Sequence, residues 1–323
     1  MTEAHPEPDS KPRRVWLHVH VPKAGGSTLR QLMNRNFGKG FYNSTSLLEV
    51  KQYTCKEVGE IVRCHPWVRC FSDHKISLDL PFDSEHAQIL ALAYVRDPLE
   101  RFISRYFFHR HFEEVNCLAQ RLSFRDFALA ELVEKNCHPQ TNSQIYFLNG
   151  GRSFSDLQVI ESALATGSAY LFPIERFDES CICLERLFPE SFSDLSYLPV
   201  NVSNKDARID DVDRDFALSY LREDQHVIDL ANSFLDGLLA KTFCQLEDQA
   251  EALAEFQDRC ARRFHNFFPA VAKGEVVPPT GTVIPPMPPD DAVPPAPVDP
   301  KFRHLAVPTL ETKPTLPTSP RQD

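Results

Sequence analysis

No stretch of about 18 apolar residues occurs in the 323-residue chain, so no membrane-spanning helix is expected. The first fourteen residues are polar and contain proline, without the apolar centre of a secretory signal. Both absences predict a soluble, cytoplasmic protein. The nine cysteines are odd in number and include no Cys-x-x-Cys pair, so zinc-site spacing is missing. They read as scattered small apolar residues in a reducing compartment. Basic charge is also short. A net charge of −10 argues against general nucleic-acid binding, while leaving room for a local cationic pocket.

What is present fits an ordinary globular chain: 42% hydrophobic and 25% charged residues. Three zones are expected. Residues 1–14 form a disordered leader, 15–268 the folded domain, and 269–323 a tail holding fifteen of the 26 prolines. That tail reads as extended polyproline, either a plain linker or a docking segment for a proline-binding partner.

The folded zone alternates strand and helix patterns. Val15, Leu17, Val19 and Val21 alternate with polar or aromatic residues until Pro22 stops the strand. A helix follows with Leu29, Leu32, Met33 and Phe37 on one face, ended by Gly38 and Gly40. Val68–Phe71, Ile89–Val95 and Ser168–Ile174 read as further strands. Pro98 opens a helix carrying Leu99, Phe102, Ile103, Tyr106 and Phe107. Helices spanning Val227–Leu239 and Leu246–Phe264 close the zone. The expected fold is α/β: a three-layer αβα, P-loop-type arrangement with a central parallel sheet and extra C-terminal helices. Its ligands should bind beyond the carboxyl ends of the strands.

Val-Pro-Lys-Ala-Gly-Gly-Ser-Thr-Leu, residues 21–29, joins the first strand to the first helix. Gly25 and Gly26 let backbone N–H groups approach an anion, and Ser27 and Thr28 add hydroxyl donors. The helix N-terminus contributes partial positive charge and Lys23 a full one. The order differs from a Walker A loop, in which the lysine follows the glycines. A second segment, Tyr94-Val-Arg96-Asp97-Pro98-Leu-Glu-Arg101-Phe-Ile-Ser104, runs from a buried strand into a helix.

His20-Val-Pro-Lys23-Ala-Gly25-Gly26-Ser27-Thr28 resembles the 5′-phosphosulfate loop of carbohydrate sulfotransferases related to heparan sulfate 2-O-sulfotransferase. The Arg96-Asp97-Pro98…Arg101…Ser104 segment is similar to that family's second signature. Glu175-Arg176-Phe177-Asp178-Glu179-Ser180 and Asn201-Val-Ser203 resemble later segments. The likeness covers about residues 15–240. Ala24 departs from the usual threonine and removes one side-chain donor.

The resemblance implies a sulfotransferase using 3′-phosphoadenosine-5′-phosphosulfate, without metal. Lys23, Gly25, Gly26, Ser27 and Thr28 would hold the 5′-phosphosulfate; Arg96 and Ser104 would hold the 3′-phosphate. Lys23 would also stabilise the leaving oxygen. Of the twelve histidines, His74 is the expected base, with His109 and His111 as rivals; His20 is expected to pack, and His5 and His304 lie in the tails. Ser203 and Lys205 would close over the nucleotide. The acceptor is expected to be a hydroxyl, on a glycan or sugar. Arginines 96, 101, 105, 110, 121 and 125 are interrupted by four acidic residues, so no long basic groove is expected. Two other readings are a catalytically inactive nucleotide-binding module and a P-loop kinase-like enzyme, the latter needing Mg²⁺ and an aspartate ligand.

Overall fold

A computed structural model describes residues 12–43, 52–80, 87–111, 117–134, 143–152, 155–198 and 209–267. Five parallel strands form one sheet: β1 Arg13–Val19, β2 Phe41–Asn43, β3 Cys70–Asp73, β4 Ala87–Val95 and β5 Ala169–Pro173, in the order β2-β3-β1-β4-β5. The helices are α1 Gly26–Phe37, α2 Cys55–Cys64, α3 Pro98–His111, α4 Cys117–Arg121, α5 Phe124–Ala128 and α6 Gln144–Leu148. They continue with α7 Gln158–Ala165, α8 Phe177–Leu187, α9 Asp211–Ser219, α10 Glu223–Thr242 and α11 Leu246–Phe267. Among the described residues no helix is long and apolar enough to cross a membrane.

The period-two alternation of the strands divides the core into two layers. Val15, Leu17, Val19, Phe71, Ile89, Ala91, Ala93 and Leu171 pack with α2, α6, α7 and the start of α10. Trp16, Cys70, Leu90, Leu92, Tyr94 and Phe172 point the other way, onto α1, α8, α11 and the end of α10. Helices on both faces explain why β4 carries an almost unbroken apolar run. The result is a three-layer αβα fold. A third cluster joins α3, α4, α5 and α9 beside the sheet, built on Phe102, Tyr106, Phe107, Phe124 and Phe127.

The structure moves several expected boundaries. β1 begins at Arg13, inside the expected leader, because Arg13 donates to the carbonyls of Val62, His65, Pro66 and Val68 around the end of α2. It ends at Val19, two residues early, where the chain turns into the loop. The expected strand at Val68–Phe71 lies at Cys70–Asp73, and β2 and α2 were not anticipated. Thr54 and Glu57 form a reciprocal capping box at the start of α2, a spacing that marks such a helix in sequence. The Pro-rich tail lies outside the described residues.

The C-terminal helix is part of the fold. Phe256 is fully buried against α8 and α10, while Arg259 and Arg263 bind Glu185 and Asp194. Phe256→Ala should destabilise the protein by about 3–5 kcal/mol in denaturant unfolding. A cost under about 1 kcal/mol would show that α11 is not packed as described.

Candidate functional site

The carboxyl ends of β3, β1 and β4 lie side by side in the middle of the sheet, and the loops after them carry the residues singled out in the sequence. The loop after β1 needs an unusual backbone. Lys23 has φ 67° and Gly25 φ 80°, both left-handed, which turns the chain tightly into α1. A Cβ on Gly25 would lie 2.5 Å from Ile174 Cδ1, just past β5, so a side chain there would have to displace the Ile174 tip as well as hold a left-handed backbone. At Gly26 a Cβ would come within 2.0 Å of His20 Nε2. This second glycine is therefore dictated by the imidazole packed under it. Ser27 and Thr28 are half-buried in the first turn of α1, where the helix presents its unpaired N–H groups.

His18, His20 and His74 stack in a column, with ring centroids 5.4 Å and 4.0 Å apart. His18 Nδ1 lies 2.8 Å from Ser72 Oγ. Burial and the neighbouring imidazoles push His18 down to about 3 and His20 to about 2, so both are neutral at ordinary pH. His74 is exposed at the top of the column. Its Nδ1 is 2.7 Å from the His20 carbonyl oxygen, which can only accept a hydrogen bond. That contact places the proton of a neutral His74 on Nδ1 and leaves the Nε2 lone pair for a base.

Lys23 is half-buried, with Nζ 4.0 Å from the centre of the Phe108 ring on α3. Desolvation first, and the charge of Arg96 second, lower its pKa to about 8. Arg96 follows β4 and reaches back, with Nη1 3.5 Å from the Lys23 carbonyl and Nη2 3.8 Å from Glu100. Asp97 caps α3, its Oδ1 accepting from the Glu100 N–H at 2.8 Å, and Pro98 occupies the first helical position. Asp97 is therefore a helix cap. Ser104 is buried in α3, one turn before Phe108, whose ring lies against Lys23.

The structure thus brings Lys23, Gly25, Gly26, Ser27, Thr28, His74 and Arg96 to the carboxyl ends of the central strands, while Ser104 lies buried in the second turn of α3. His109 stands apart, with its Nε2 3.3 Å from the donating Nε of Arg105. The His111 side chain, Asn201, Ser203 and Lys205 lie outside the described residues, as do His5 and His304. Sequence reasoning missed Phe108, Ile174, Gln144 and Asp224, and saw Glu175 only as part of a motif. Glu175 accepts from the Asp97 N–H at 2.9 Å, tying β5 to the second loop. The Glu175-Arg176 pair was seen as a motif, but Arg176 itself joins α8 to α10 through Glu179, Asp236 and Asn232.

Two cations lie close enough for one to depress the other, beside a left-handed turn and next to a helix N-terminus, an arrangement suited to an anion.

The neutral histidine column makes the fold sensitive to acid. In the unfolded chain His18 and His20 protonate near pH 6.5, whereas in the fold they do so only near 3 and 2. The unfolded state therefore binds more protons below about pH 6.5, and these groups cost about 1.4 kcal/mol per pH unit per proton as pH falls. In NMR titration the His18 and His20 ring signals should stay neutral from pH 8 to pH 5. A midpoint near 6.5 for either would contradict the buried stack.

Residues 9–158 match the family model described as the sulfotransferase family. The match includes both loops, His74 and α3, and ends before β5. No curated protein matches the chain.

Proposed function

For a chain whose residues 9–158 match the sulfotransferase family model, we propose sulfuryl transfer from 3′-phosphoadenosine-5′-phosphosulfate to a hydroxyl of a carbohydrate. The observation that carries this reading is the convergence of Lys23, Arg96 and His74 at the carboxyl edge of the sheet, with His74 held in the tautomer of a base. The family match supports sulfuryl transfer in general. The choice of donor rests on the two anion-binding loops, and the choice of a sugar acceptor on the motif likeness to carbohydrate sulfotransferases.

In the proposed reaction His74 Nε2 takes the proton of the acceptor hydroxyl as that oxygen attacks sulfur. The bond from sulfur to the bridging oxygen of the nucleotide breaks in line with the attack. Negative charge gathers on that oxygen, and the Lys23 ammonium stabilises it. The products are a sulfate ester, protonated His74 and adenosine 3′,5′-bisphosphate. The N–H groups of Gly25, Gly26 and the first turn of α1, with the Ser27 and Thr28 hydroxyls, bind the phosphosulfate. Arg96 and Ser104 bind the 3′-phosphate.

Lys23 also sets a pH limit on donor binding. A bound anion would raise its pKa back above about 8, so binding takes up a proton and weakens as pH rises beyond that value.

The roles separate in a turnover assay that follows bisphosphate release from the donor with a panel of saccharides. His74→Ala should lower the rate by about 10²–10⁴ with donor affinity nearly unchanged. Lys23→Ala should lower it by about 10²–10³ and also weaken donor binding. Full activity in His74→Ala would remove that residue as base. Donor binding without transfer to any hydroxyl would instead favour the inactive nucleotide-binding module.

A further inference from the structure

Arg96 lies one residue beyond the last paired residue of β4, Val95, so its peptide groups have left the ladder. Both are taken up by one side chain. The Arg96 N–H donates to Gln144 Oε1 at 2.9 Å, and Gln144 Nε2 donates to the Arg96 carbonyl at 2.7 Å. A side-chain amide offers a donor and an acceptor at fixed spacing, as a neighbouring strand would. Gln144 is fully buried at the start of α6, and its own backbone is held in turn. Its N–H lies 2.8 Å from both carboxylate oxygens of Asp224; the Ile145 N–H and the Ser143 hydroxyl reach the same carboxylate at 3.3 Å. Asp224 is itself buried, opposite Arg101 at 3.7 Å.

We infer that Gln144 is a positioning residue for Arg96, and that Asp224, from α10, locks Gln144 in place. The inference rests on the reading of Arg96 as the 3′-phosphate ligand. The Arg96 guanidinium is about a quarter exposed, and among the described residues its contacts to the Lys23 carbonyl and Glu100 are long. Its direction is therefore set by its backbone, and Gln144 fixes that backbone. Asp224 lies beyond the family-matched residues, so the second half of the chain completes the site built by the first.

The test is calorimetry of the full chain with adenosine 3′,5′-bisphosphate and with AMP, which lacks the 3′-phosphate. Gln144→Ala should weaken bisphosphate binding by about tenfold or more and AMP binding by less than about twofold. Gln144→Glu keeps the volume and the acceptor for the Arg96 N–H but loses the donor to the Arg96 carbonyl. It should shift the ratio in the same direction, and it carries the test if the alanine variant does not fold. Asp224→Asn should give a smaller shift of the same kind. A purely structural role would weaken both ligands alike, and an unchanged ratio in the folded variants would overturn the inference. If the wild-type protein itself does not prefer the bisphosphate, the reading of Arg96 fails and the inference falls with it.

Discussion

His20, where the chain leaves the first strand, is the residue on which the site depends. Its N–H is held by the Asp73 carbonyl, its own carbonyl holds His74, and its ring fills the space that a side chain at position 26 would need. One residue thus ties the end of β3 to the end of β1 and sets the approach of α1. Because the ring is buried and neutral, it adds no charge beside Lys23 and Arg96. The stacked histidines are tolerated because burial keeps the lower two uncharged; three adjacent imidazolium ions would repel strongly in that setting.

The charge of the whole chain and that of the site have opposite signs. The protein carries a net charge of −10, yet Lys23 and Arg96 sit close together at the sheet edge. Lys23 resolves the crowding in part by lying against the Phe108 ring, a contact that stabilises a cation without neutralising it. An arriving anion would pair with the lysine more strongly than the ring does. Deeper in the protein the balance differs. Arg101 and Asp224 are both buried, and desolvation outweighs their mutual attraction, lowering the one pKa and raising the other. That pair makes sense as part of a network that includes the α6 N-terminus and Gln144.

Local features were legible in the sequence. Alternation marked β1, the apolar run marked β4, and the Lys-Ala-Gly-Gly-Ser-Thr turn marked the first loop, since each depends on neighbours within a few residues. Arg96 and Ser104 were singled out through the likeness of their segment to a family signature, and that signature is local too: one strand end and one helix carry both. The missing parts are long-range or weakly encoded. β2 has only three residues at the sheet edge and follows a glycine-rich turn, so it shows no period. Gln144 is separated from Arg96 by 48 residues and Asp224 from Gln144 by 80, and nothing in their local pattern marks a polar residue that will be buried. The reason for Gly26 was hidden as well. A phosphate-binding role suggests it, but the packed His20 ring requires it.

The central claim is that the first two loops together read a 3′-phosphorylated nucleotide through Lys23 and Arg96. Its most direct test is calorimetry of the wild-type protein near pH 8, in two buffers of different ionisation enthalpy, without added metal. Adenosine 3′,5′-bisphosphate should bind with net proton uptake, as Lys23 regains the proton that burial and Arg96 disfavour. Binding of ATP–Mg²⁺ with no binding of the metal-free bisphosphate would contradict the account and favour a kinase-like reaction at the same sheet edge.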